Sequence, residues 1–86
     1  MTYGVFDMGR VDWRDRITVE PDVHHGEPCI RGTRIPVAVI VGSLADGMTF
    51  SEILREYPQL TEADIRAALA YAADVLQEEM LVPLPA

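Results

Sequence analysis

Eighty-six residues, 49% of them apolar, with one cysteine and no apolar run of about 18, describe one small domain and exclude a disulfide scaffold and a membrane-spanning helix. A chain this short hides only about 60% of its unfolded surface on folding, so a partner is expected to add to its stability. The formal net charge of -7 is uneven: residues 1–36 hold five arginines and six acids, residues 37–86 two arginines and eight acids. Binding to nucleic acid is driven by neutralising phosphates, so any DNA contact is expected from the arginines of the first part.

Residues 1–16 carry scattered aromatics (Tyr3, Phe6, Trp13) and glycines at positions 4 and 9 without a helical stripe. They read as an extended arm whose aromatics either complete the core or await a partner, and for Trp13 the core is the preferred reading. No basic, apolar, small-residue leader opens the chain, which predicts a cytoplasmic protein. From Ile17 to Glu20 apolar and polar residues alternate, the period of a half-buried strand. Pro21 and Asp22 then turn the chain towards Gly26–Pro36, GEPCIRGTRIP. There Gly26 and Gly32 permit positive φ, while Pro28 and Pro36 bias the residues before them to extended geometry. A hairpin of residues 16–20 with about 28–32 is expected.

The segment that follows, VAVIV, has strand composition. Yet Val37, Ile40, Val41 and Leu44 fall at helical spacing between Pro36, suited to a first helical position, and Gly47, suited to a cap. The spacing predicts a helix. Thr49 with Glu52 forms a capping box, Met48 and Ile53 its staple, and Pro58 ends that helix. Thr61 with Asp64 repeats the box, with Leu60 and Ile65 as staple. The last helix is expected to bury Ile65, Leu69, Ala72 and Leu76 on one stripe, with Ala68 and Val75 beside it.

The expected organisation is an arm over 1–15, a domain over 16–79 and an apolar tail over 80–86. Within the domain a β element occupies about 16–35 and helices about 36–46, 50–57 and 61–79. The fold class is mainly α with a small β element: a three-helix, helix-turn-helix-like (homeodomain-like) domain preceded by a short β-hairpin. The tail, with Leu81, Val82 and Leu84, either folds back or docks in a partner groove.

Few residues suggest chemistry. His24, His25 and Cys29 are the strong metal ligands, but successive residues of an extended segment point to opposite faces, so no metal site is expected. Cys29 lacks an orienting group for a nucleophilic pair and reads as a buried small apolar residue. The glycines of the pivot are too far apart for a phosphate loop, and no carboxylate pair stands out. No cofactor, small-molecule substrate or enzymatic activity is therefore expected. In a helix-turn-helix the last helix would meet DNA with Glu62, Asp64 and one arginine, Arg66, a poor surface for the major groove. Arg14, Arg16, Arg31 and Arg34, around the hairpin, are the better donors. Arg31 and Arg34 serve equally well in a structural role, tied to carboxylates such as Glu56 or Asp64.

The chain from Arg16 to Ala73 resembles the small prokaryotic domain of unknown function 433. The resemblance lies in Ile17, Pro21, Gly26-x-Pro28, Ile30-x-Gly32-Thr33-Arg34-Ile35, Val37 and Gly47, then Ile53, Tyr57-Pro58, Leu60-Thr61, Asp64-Ile65 and Ala68-Leu69. It spans about two-thirds of the chain and is most specific at GTRI and YPxLT; the arm before Asp12 and the tail after Gln77 lie outside it. It implies a helix-turn-helix-like domain grouped with VapB-type antitoxins, a PIN-like nuclease toxin as partner, and a neutraliser rather than an enzyme. On that footing Arg31 and Arg34 are expected to enter the nuclease's carboxylate cluster, with the apolar tail as second anchor. Operator DNA is a further partner if the protein represses its own operon. The alternative is a DNA-binding regulator without a toxin. A homodimer is expected because a small core, an open hairpin edge and an alanine-lined helix all gain from a second copy.

Overall fold

The computed structural model describes residues 12–22 and 26–81, with side chains as far as residue 77. Expectations that fall on 1–11, 23–25 and 82–86, among them those for His24, His25, Val82 and Leu84, lie outside the described residues. A 3-10 turn (Trp13–Asp15) leads into strand β1 (Ile17–Thr18), which pairs with β2 (Cys29–Ile30). Three helices follow: α1 (Val37–Ala45), α2 (Phe50–Glu56) and α3 (Glu62–Leu81). The expected class, three helices preceded by a two-stranded antiparallel hairpin, is the fold observed.

The strands are shorter than expected. They pair antiparallel with Ile17 opposite Ile30 and Thr18 opposite Cys29, and Ile17 and Ile30 face the core. Beyond β2 the chain doubles back through Gly32, whose φ of 80° is open to glycine at low cost. Ile30 N then donates to Ile35 O at 3.0 Å and Val37 N to Pro28 O at 2.9 Å, so the outer side of β2 is covered by its own continuation.

Helix α1 resolves the conflict in VAVIV in favour of burial. Val37 and Ile40 are sealed in the core, with Val41 and Leu44 packed against it, an arrangement only the helical period provides. It stops in a Schellman arrangement: Gly47, at φ 101°, donates to Leu44 O and Met48 N to Ser43 O. The two capping boxes form as expected. Thr49 N donates to Glu52 Oε1 at 2.8 Å and Glu52 N to Thr49 Oγ1 at 3.1 Å. Thr61 N donates to Asp64 Oδ2 at 2.9 Å and Asp64 N to Thr61 Oγ1 at 3.3 Å. Both boxes satisfy first-turn N–H groups that a helix cannot satisfy itself.

Two expectations need correction at α3. Its buried stripe holds Ile65, Ala67, Ala68 and Ala70, whereas Leu69 is 38% and Leu76 57% exposed. The alanines set this roll, because their small side chains let the neighbouring elements approach the helix axis closely. The helix also continues to Leu81, so residues 80 and 81 belong to it and not to a tail. A third correction concerns the arm: its last residues, Trp13–Asp15, are a 3-10 turn rather than extended chain; Trp13 packs against the core, the reading preferred from the sequence.

Candidate functional site

The arginines named from the sequence divide by what holds them. Arg16 Nη1 donates to Asp64 Oδ1 at 3.1 Å. Asp64 thus caps α3 with one oxygen and holds the end of the 3-10 turn with the other, and it is only 8% exposed. Asp64, one of the carboxylates foreseen for Arg31 or Arg34, thus receives Arg16. Arg31 uses main-chain acceptors instead, Nε donating to Asp15 O at 3.0 Å and Nη2 to Arg14 O at 3.3 Å. Arg14 lies over the Trp13 ring at 4.9 Å and reaches Asp12 at 3.3 Å. Arg66 pairs with Glu62 one turn back on α3, at 3.5 Å. Arg34 is exposed at the end of the hairpin turn.

That turn is stiff. Thr33 N and Oγ1 both donate to Ile30 O, and Thr33 Oγ1 accepts from Ile35 N at 3.0 Å. Arg34 therefore projects from backbone fixed on both sides. The turn borders an open hollow of about 510 Å³. Arg31, Gly32, Thr33 and Arg34 contribute one part of its lining, and Thr18, Glu20, Glu27 and Cys29 the other. Two arginines and two glutamates thus line a common space.

Cys29 is no nucleophile in this setting. It is 2% exposed, and its thiol donates to Glu27 O at 3.5 Å. Burial first, then the charges of Glu27 and Glu20, push the thiol above its ordinary value of 9.0 and hold it protonated.

The contact that sequence reasoning missed is the seat of Trp13. Its indole N–H donates to Asp74 Oδ2 at 2.7 Å, and its ring meets Tyr71 edge-on with centroids 4.8 Å apart. Tyr71 and Asp74 lie three residues apart, on one face of α3, and that spacing was the available signal.

The family described as Protein of unknown function (DUF433) matches residues 17–72, from β1 well into α3. The chain belongs to the DUF433 family. Its fold is similar to the crystal structure of a DUF433 member from Anabaena variabilis ATCC 29413, with a TM-score of 0.70 and 31% identity, over 90% of this chain and 72% of that one. Its sequence is 39% identical over 59 residues to the uncharacterized protein y4eO of Sinorhizobium fredii (strain NBRC 101917 / NGR234), covering 69% of this chain and 27% of that protein. This DUF433 chain thus spans little more than a quarter of that relative's length. The Trp13–Asp74 contact joins residues just outside the two ends of the family match. Among the described residues no helix is long and apolar enough to cross a membrane.

Proposed function

We propose that this DUF433 protein is the antitoxin of a type II toxin–antitoxin pair, a cytoplasmic protein that acts by binding a PIN-like nuclease rather than by catalysis. The supporting observation is the stiff hairpin turn, which projects exposed Arg34 from the less acidic part of the chain with Arg31 beside it. A nuclease of that kind holds divalent metal with clustered carboxylates, and a guanidinium pressed among them takes up the same oxygens in charge-assisted, bidentate hydrogen bonds. Arg31 and Arg34 are the candidates for this role. The chain beyond α3, with Val82 and Leu84, is the second anchor.

The DNA-binding alternative has less support. The first turn of α3, which would face the major groove, spends Asp64 on the helix cap and Arg16, and Arg66 on Glu62. Autorepression would draw on Arg14 and on the hairpin arginines.

The test is co-expression with the product of the adjacent gene, then a nuclease assay of the purified pair. Inhibition by the native protein, weakened at least about tenfold by Arg34→Ala and further by deletion of residues 82–86, is the expected result. Full inhibition by the doubly altered protein refutes the mechanism. Absence of any complex refutes the antitoxin reading, and a salt-sensitive shift of promoter DNA would then favour the regulator.

A further inference from the structure

We infer that the free edge of β1 is the seat of a second copy of this chain, paired antiparallel about Thr18 to make a four-stranded sheet. The hydrogen-bond phase of the hairpin fixes which peptide groups face outwards. Arg31 N donates to Arg16 O at 2.7 Å, the bond of a hydrogen-bonded position, while Arg16 N turns away to Trp13 O at 2.9 Å, so the ladder ends there with a single bond. Ile17 opposite Ile30 is then a non-bonded pair, and Thr18 opposite Cys29 is bonded again. The main-chain N–H and C=O groups of Ile17 and Val19 accordingly point away from β2. Ile30 shows the same phase from the other strand, its N–H pointing outwards to Ile35 O. That side of β2 is closed by residues 35–37, which leaves β1 as the open edge of the sheet among the described residues. No turn, loop or cap hydrogen bond among those residues uses the main chain of Ile17 or Val19.

What fits this edge is written in its sequence. Residues 16–20 read Arg-Ile-Thr-Val-Glu, and the segment complements itself when reversed about Thr18. Ile17 then faces Val19 of the second copy and Thr18 faces Thr18. At the margins Arg16, whose Nη1 already donates to Asp64, comes opposite Glu20, and this charge match occurs twice by symmetry. The phase is also right: Thr18–Thr18 falls at a non-bonded position, and the flanking Ile17–Val19 pairs exchange two hydrogen bonds each. Val19, 54% exposed in the single chain, shares the face of buried Ile17 and would gain cover from the second copy's Ile17. Exposed edges of this kind are otherwise blunted by charge or proline. Here the first proline, Pro21, comes just beyond the self-complementary stretch.

The test is sedimentation equilibrium of the full chain at tens to hundreds of micromolar, with two variants. Val19→Pro removes an N–H with no main-chain partner among the described residues and should abolish the dimer while the circular-dichroism spectrum still shows a folded chain. Glu20→Arg sets Arg16 against a like charge twice and should weaken dimerisation on the order of tenfold. A Thr18→Cys, Cys29→Ala protein then reports the register, because its thiols meet across the two-fold and should crosslink on mild oxidation to a disulfide dimer. A chain that stays monomeric throughout overturns the inference. So does a dimer indifferent to both variants, which would place the contact elsewhere, for instance on the exposed Leu69 and Leu76 face of α3. Neither result bears on nuclease binding through Arg34.

Discussion

The indole N–H of Trp13 and the carboxylate of Asp74 meet at 2.7 Å across 61 residues of sequence, fastening the first described turn of the chain to α3. Trp13→Phe keeps most of the ring contact with Tyr71 and removes the donor. It should cost about 1–2 kcal/mol in urea unfolding followed by circular dichroism, the chain having no other tryptophan. Trp13→Ala should cost more, about 3 kcal/mol, since the half-buried ring is lost as well. Equal stabilities for Trp13→Phe and the native protein would show that the bond contributes nothing.

Asp64 serves two partners, the N-terminus of α3 and Arg16. Asp64→Ala should therefore lose about 2–3 kcal/mol, more than an ordinary cap, and Arg16→Ala only part of that. Because both changes break the same ion pair, their effects should be less than additive in the double variant.

The roll of α3 is tested by a pair of truncations. Ile65→Ala removes a fully buried side chain and should cost about 2–5 kcal/mol, whereas Leu76→Ala, at an exposed position, should stay within about 0.5 kcal/mol. Similar losses at both sites would restore the stripe expected from spacing alone.

Gly32 has nothing within 4 Å of where a Cβ would stand, so alanine there meets no clash and the cost is one of backbone conformation only. With φ at 80°, Gly32→Ala should lose about 1 kcal/mol and Gly32→Asn less, since asparagine tolerates the left-handed region better.

The buried thiol gives stability a slope at alkaline pH. Cys29 is pushed above 9.0 by burial and then by Glu27 and Glu20, so the unfolded chain gives up this proton first. The contribution is complete below the unfolded value and is lost as pH rises towards the folded one. Urea midpoints should fall between pH 8 and 10 more steeply in the native protein than in Cys29→Ala, and a thiol reagent should react slowly with the folded protein.

What the sequence made legible was local. Both capping boxes, the proline that ends α2 and the glycine beyond α1 act within one turn of chain, so residue identity sufficed to place the helix starts and two of their ends. The strands were legible in position but not in length. The roll of α3 was not, because Leu69 and Leu76 outrank alanine in hydrophobicity, while packing distance favours Ala67 and Ala68. Arginine partners were equally obscure: Arg16 finds Asp64 48 residues away, and Arg31 settles on carbonyls, which every residue offers. At the candidate site, Arg34 and the turn beneath it followed from the glycine and threonine of the motif, whereas the seat of Trp13 depends on α3 being in place.

That dependence bears on synthesis. Nascent chain leaves the ribosome from the N-terminus, so Trp13 emerges long before Asp74 exists to receive it, and Arg16 waits almost as long for Asp64. The hairpin can form early, but the contacts that fasten the 3-10 turn close only when most of α3 has been made. A product truncated before Asp74 should expose the indole and be open to proteases, so that only chains made past Asp74 persist.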